Sequence, residues 1–426
     1  MKKIIASAVG LMLVGGVAAT TASAAIENQF GGYWRTRFTY EDNFSGTDTA
    51  SKEYVDTRTR LFYTAKFSDD FKFVNKFEFN TGWGDTTKTQ TVTVKNADGT
   101  STKYNVTSAG LGAGGDLGAD GKGNWRVKNS YADFNMGPMV NAKVGIQGAT
   151  IARGFIFDDD FAGVMLTGKF GQVSAIGAWL NLSNEDVVAI DQSTFAGLDQ
   201  NIFAALVPVK INDGMSVTPY FVYHKISNNE AFLVTQDADN WYLGADADLK
   251  FGTVSVWGTA IYNGGKINDV DNKGYLGAVG ADAGIVHGQF FYASGDDGKD
   301  AAENDAFVSA PGRSYYWSEI MGLGIFDNSA SNGSPADGIS NVWAGNAGVT
   351  FKPMDKLKLT GDVWYASLAE DNKAGDKELG WELDGVASYS IYDNLTADAV
   401  FAYLFSGDAT GKEDVMEGGV RLSLKF

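Results

Sequence analysis

The chain has 426 residues, 44% hydrophobic, 13% aromatic and 20% charged, and that much apolar surface excludes a disordered chain. With no cysteine there is no disulfide framework, thiolate metal site, covalently attached haem or cysteine nucleophile, and two histidines, His224 and His287, leave almost nothing for a histidine metal cluster or a Ser-His-Asp triad. A formal charge of −18 argues against a nucleic-acid partner, which needs a basic footprint.

Residues 1–24 read as a cleaved signal peptide. Lys2 and Lys3 form the basic start, an uncharged stretch from Ile4 to Ala19 the apolar core, and Ala22-Ser23-Ala24 the small-residue cleavage site. The remainder, 25–426, reads as one domain with no helical membrane span.

From residue 30 onward the pattern has period two. Trp34, Thr36, Phe38 and Tyr40 alternate with Arg35, Arg37 and Thr39; Phe71, Phe73, Phe77 and Phe79 alternate with Lys72, Lys76 and Glu78; Leu379, Trp381 and Leu383 alternate with Gly380, Glu382 and Asp384. Apolar residues on one face and charged or small ones on the other is strand behaviour. The connectors separate a membrane barrel from a soluble sandwich. Short polar turns such as Ser68-Asp69-Asp70, Gly137-Pro138 and Asn212-Asp213-Gly214 alternate with long links near 43–52, 83–124, 150–161, 184–198 and 295–339. Short turns at one end and long loops at the other are the outer-membrane pattern. The spacing predicts an all-β chain, a transmembrane antiparallel up-and-down barrel. Its 18 strands lie near 33–41, 54–67, 71–82, 125–136, 139–149, 162–170, 172–183, 199–211, 215–226, 239–250, 252–263, 273–283, 286–294, 340–352, 356–369, 377–390, 394–406 and 415–426. Sixteen is the alternative if the weak pair 273–283 and 286–294 is no pair of strands.

The last predicted strand alternates Val420, Leu422, Leu424 and Phe426 with Arg421, Ser423 and Lys425. It resembles the assembly signal of bacterial outer-membrane barrels, in which the final strand must zip onto the first so that no backbone edge meets lipid. The segments Lys128-Asn129-Ser130-Tyr131-Ala132-Asp133-Phe134, Lys143-Val144-Gly145-Ile146-Gln147 and Gly380-Trp381-Glu382-Leu383-Asp384-Gly385 extend the likeness. Together they resemble Gram-negative porins, nearest to the major porin-type channels of metal-reducing delta-proteobacteria. The resemblance implies a diffusion channel, often a homotrimer, whose loop after the fifth strand folds inward as a constriction. It also implies outer-membrane lipid, lipopolysaccharide and the barrel-assembly machinery as partners. Residues 150–161 depart from enteric porins, lacking their Pro-Glu-Phe-Gly-Gly-Asp element.

If the apolar faces meet lipid, the opposite faces line the lumen. The early strands then supply a basic wall of Arg35, Arg37, Arg58, Arg60, Lys76 and Lys143, joined by Lys66 and Lys72. The later strands supply an acidic wall of Asp246, Asp248, Asp362, Glu382, Asp384 and Asp398. A field between such walls orients dipolar solutes and slows apolar ones. The candidate constriction loop runs from Ile151 to Asp160. Arg153 lies in it, and Asp158, Asp159 and Asp160 are expected to face the arginines, giving a mild cation preference. The link 83–124 reads as a mobile or hairpin-like extracellular lid, and 295–339, with Tyr315, Tyr316, Trp317 and Ile320, as a partial plug in the barrel mouth, with contact to a neighbouring subunit or stacking on a ligand as the alternatives. His224 is expected at a strand's outer end among interfacial aromatics.

No catalytic constellation, metal site or cofactor is expected. The function expected is a porin passing small hydrophilic solutes and ions. The alternatives are a substrate-specific channel for organic acids, sugars or an anionic polymer, with Arg35, Arg37, Arg58 and Arg60 as its binding residues, and a scaffold around an electron-transfer partner.

Overall fold

Alternating apolar and polar residues let each segment bury its backbone in a ladder while presenting one chemistry to each face. The computed structural model describes residues 26–44, 51–83, 88–95, 101–108, 124–183, 198–228, 237–322, 324, 326 and 338–426. The expected signal peptide at 1–24 lies outside these residues.

The wall consists of 18 strands in chain order. They are β1 (Glu27–Asp42), β2 (Lys52–Ser68), β3 (Phe71–Gly82), β4 (Asn124–Asn135), β5 (Val140–Ile151), β6 (Phe157–Phe170), β7 (Val173–Ser183), β8 (Leu198–Leu206, continued by Val209–Asn212) and β9 (Met215–Asn228). The circuit continues through β10 (Ala238–Phe251), β11 (Val254–Ile267), β12 (Tyr275–Ala283), β13 (Val286–Ala293), β14 (Val342–Met354), β15 (Leu357–Leu368), β16 (Glu378–Tyr392), β17 (Leu395–Ser406) and β18 (Val415–Lys425). Each pairs antiparallel with its neighbours, and β8 is interrupted at Pro208, which has no N–H for the ladder. The pair expected to be weak forms β12 and β13, paired from Leu276↔Ala293 to Ala283↔Val286, so the sixteen-strand alternative falls.

Closure is by β1 against β18, from Tyr33↔Lys425 to Asp42↔Met416. Phe426 extends the seam: the Gly32 N–H donates to the Phe426 carbonyl at 2.6 Å, and the Phe426 N–H donates back to the Gly32 carbonyl at 3.1 Å. The Phe426 ring occupies the space where a side chain on residue 32 would stand, which is why glycine is there.

The link 83–124 contains a separate hairpin, Lys88–Lys95 with Ser101–Ser108, in agreement with the hairpin reading. Several strand boundaries differ from expectation: β1 begins at Glu27 rather than near 33, and β11 runs on to Ile267 rather than ending near 263. β6 begins at Phe157 because its ladder with β5 continues to Ile151↔Phe157. The loop between them is therefore shorter than the sequence pattern predicts.

Candidate functional site: the lumen and its two inward loops

Phe38, Leu61, Phe71 and Val144 are exposed on the outer face. Strand alternation then turns Arg35, Arg37, Arg58, Arg60, Lys76 and Lys143 to the lumen. Register sets them in rows. One row runs Asp398, Arg421, Arg37, Asp56; the next places Arg35 beside Arg58 and Asn80; a third places Arg60 beside Glu78 and Arg126. The Arg37 guanidinium lies 2.5 Å from Asp56, and Arg421 lies 2.9 Å from Asp398. Glu78 receives Arg60 at 2.6 Å and Arg58 at 3.6 Å, while Arg58 also donates to Asn80 at 2.7 Å. Lys72 lies 3.3 Å from Asp133, Lys76 over the Phe62 ring at 5.6 Å and Lys143 over Tyr131 at 5.7 Å.

Of the residues expected on a basic wall, Arg35, Arg37, Arg58 and Arg60 stand in adjacent rows, and the wall is not of one sign. Cross-strand neighbours are about 4.5–5.5 Å apart, where unopposed like charges destabilise the sheet. Asp56, Glu78 and Asp133 interleave the cations for that reason. Arg421 completes the first row. Extending the alternation of the last strand onto the seam would have added it to the site.

The β5–β6 connection turns inward. Ala152, Arg153 and Gly154 have φ of 53°, 57° and 94°, three successive left-handed residues that reverse the chain sharply. Arg153 then reaches β10 and β11. Its Nη2 lies 2.9 Å from Asp248 Oδ1 and donates to the Ala247 carbonyl at 3.1 Å, and its Nε donates to Thr259 Oγ1 at 3.1 Å. Asp246 is 3.9 Å away, and the guanidinium lies over Trp257 at 5.1 Å. Asp246 and Asp248, expected on an acidic wall, are the anchor of this loop.

Asp158, Asp159 and Asp160 do not project as one group, because they belong to β6 and alternate across it. Asp158 accepts from Thr150 at 2.7 Å, Asp160 accepts from Asn129 at 2.9 Å and pairs with Lys128, and Asp159 is solvent-exposed.

The second inward loop joins β13 to β14. Its Ser314 N–H donates to the Gly154 carbonyl at 3.1 Å, and the Asp158 N–H donates to the Gly312 carbonyl at 2.9 Å, so the two loops are stitched together. Tyr315 stacks on Phe155 with centroids 3.7 Å apart, and Trp317 meets Phe291 and Trp364 edge-on. Burial pushes the Tyr315 hydroxyl far above the usual phenol range. Tyr242 donates to the Val308 carbonyl at 2.9 Å, and the Val308 N–H donates to Asn263 at 3.1 Å. The plug reading of this segment holds in its geometry: it packs an apolar core against inner-face residues such as Leu180, Ile202, Val222 and Phe291.

Much of the lumen facing the later strands is therefore filled. On the early strands the side chains of Arg58, Arg60 and Lys72 keep 20%, 28% and 43% of their surface. Among the described residues, water therefore reaches the lumen along β2 and β3.

The remaining acidic-wall residues are engaged rather than bathed in solvent. Asp362 accepts from Asn346 at 2.6 Å and lies 2.8 Å from His287. Glu382, Asp384 and Asp398 are buried. So are Glu41 and Glu417 on the inner face of the seam strands, which the sequence reading passed over although they share the parity of Arg37 and Arg421. His224 is buried on the inner face of β9 between Ile202 and Asn240, rather than among interfacial aromatics, because Phe221 and Tyr223 take the outer parity. Among the described residues no group of three or more His, Asp or Glu is placed to hold a metal ion. A groove of about 780 Å³ lies on the membrane-facing side of β10–β13, with Leu243, Tyr262, Tyr275 and Val279 in its lining, away from the lumen.

No protein-family model matches the sequence, and no curated protein does. Solved structures do match over almost the whole chain. OpdQ of Pseudomonas aeruginosa is 14% identical with a TM-score of 0.57, covering 94% of this chain and 98% of its own. The outer membrane protein opdK of the same organism is 11% identical with a TM-score of 0.58, with the same coverage. OccAB1 of Acinetobacter baumannii is 11% identical with a TM-score of 0.57, covering 94% and 96%. At such identity these structures establish a shared fold, the closed 18-stranded antiparallel barrel.

Proposed function

We propose that the chain is an integral outer-membrane porin through which small hydrophilic solutes and ions diffuse passively. The observation that carries this is a closed barrel, apolar outside, whose lumen is filled on one side by loops and lined on the other by charged side chains that water reaches. The shared fold with the outer membrane protein opdK supports the same location. In this reading residues 1–24 direct export, lipopolysaccharide and lipid surround the barrel, the assembly machinery inserts it, and copies associate as a homotrimer. Kinship with channels of metal-reducing delta-proteobacteria rests on the segments 128–134, 143–147 and 380–385.

A second reading is favoured by the arginine rows: a channel selective for anionic solutes such as organic acids. Arg35, Arg37, Arg58 and Arg60, with Arg421, cluster across neighbouring strands with Asp56 and Glu78 between them, and water reaches Arg58 and Arg60. The mild cation preference expected from the sequence now rests on overall acidity, since Asp158 and Asp160 are tied to Thr150, Asn129 and Lys128. Single-channel conductance in a planar bilayer under a salt gradient tests both readings. A large ohmic conductance with a cation-side reversal potential supports the general pore. Anion preference with block by one carboxylate supports the second, and the absence of conductance overturns both.

A further inference from the structure

Glu382 has no solvent exposure, yet it faces the lumen of a barrel. Burying a carboxylate is costly unless its lone pairs are taken up by donors. The donors here are backbone groups of the inward loop. The Ile320 N–H donates to Glu382 Oε1 at 2.6 Å, the Met321 N–H to Glu382 Oε2 at 2.9 Å, and the Glu319 N–H to Asp384 Oδ2 at 3.3 Å. Ser318 Oγ accepts the Gly322 N–H at 2.9 Å, closing the turn. Three consecutive N–H groups thus point at one strand, and none of them has a secondary-structure partner.

Described residues on either side of the segment also make apolar contacts. Trp317 packs on Trp364 and Phe291, and Phe326 clusters with Val386 and Val400. Between these anchors, docking buries peptide donors that only Glu382 and Asp384 satisfy. A buried N–H without an acceptor disfavours the docked state, whereas the undocked loop would find water. The strand carrying Glu382 does not need the carboxylate, since its ladders to β15 and β17 are backbone bonds.

We propose that Glu382 is the latch of an internal gate: its carboxylate holds residues 318–322 docked in the lumen, and without it the segment swings away and the conducting route widens. The conductance part of this rests on the porin reading; the docking part does not.

The natural chain has no cysteine, so one engineered thiol reports docking without background. Met321, which is buried, is replaced by cysteine, and exposed Lys299→Cys serves as the reference. Modification by a membrane-impermeant thiol reagent is timed in bilayer-inserted protein, with and without Glu382→Ala and Glu382→Gln, alongside single-channel conductance. The heat-modifiable gel shift of each variant confirms a closed barrel. Met321→Cys should react far more slowly than the reference when Glu382 is present. Glu382→Ala should speed it by at least about tenfold, as expected for stranded buried donors, and raise the conductance. Glu382→Gln, which keeps one acceptor oxygen, should fall between. Equal rates in all three overturn the latch and leave apolar packing as what holds the segment. Faster labelling with no conductance in any variant supports the latch and counts against the porin reading. Should Glu382→Ala not close its barrel, the Gln variant alone decides: an unchanged labelling rate overturns the proposal.

Discussion

Arg153 Nη2 lies 2.9 Å from Asp248 Oδ1, a contact that ties the turn after β5 to the wall at β10. The same guanidinium donates to the Ala247 carbonyl and to Thr259 and covers the Trp257 ring, so one side chain decides where the first inward loop ends.

Arg153→Ala should release that loop. Hydrogen bonds to charged groups contribute about 1.5–3 kcal/mol each, enough to shift a docked loop by tenfold or more. Conductance should rise and become noisier as the loop moves. Arg153→Lys keeps the charge but loses the planar fork and should give an intermediate record. An unchanged conductance in Arg153→Ala would mean the loop does not bound the route.

The arginine rows predict a signed effect on selectivity. Arg58→Gln with Arg60→Gln removes two cations beside the accessible lumen and should move the reversal potential toward cations. Glu78→Gln removes the carboxylate between them and should move it toward anions. Both shifts should shrink as salt rises, since the Debye length falls from about 10 Å at 0.1 M to about 3 Å at 1 M. Shifts of the same sign in the two variants would contradict a route along β2 and β3.

Tyr315 is the point where the two inward loops meet, stacked on Phe155 and donating to Gln289 at 3.2 Å. Truncating a fully packed aromatic costs about 3–5 kcal/mol. Tyr315→Ala should loosen both loops together, read as faster proteolysis within them, while the barrel keeps its heat-modifiable shift. Tyr315→Phe should retain the stack and show little change.

The seam predicts a folding defect. A Cβ on residue 32 would come within 2.4 Å of the Phe426 ring and 2.9 Å of the Arg60 carbonyl. Gly32→Val should therefore destabilise closure by about 1–3 kcal/mol, measured as a lower urea midpoint and slower refolding into vesicles. Adding Phe426→Ala should recover part of that loss by vacating the ring's space, and a fully additive pair would argue against the contact.

The barrel was legible because period-two alternation is local. Trp34 and Phe38 against Arg35 and Arg37 settle the strand and its faces without reference to any other segment. The number of strands followed from turns such as Ser68-Asp69-Asp70, and which residues look inward followed from parity. By the same parity Arg421, Glu41 and Glu417 could have been added to the inner face.

Tertiary structure decided what those inner residues touch. Asp246 and Asp248 look like free pore carboxylates in a strand pattern, but a turn nearly a hundred residues earlier brings Arg153 to them. Glu382 reads as part of an acidic wall until the loop between β13 and β14 lays its N–H groups on it. Alternation gives a side chain its direction. Whether water or a folded-back loop fills the space in front of it depends on contacts between residues far apart in the chain, and no local pattern carries those.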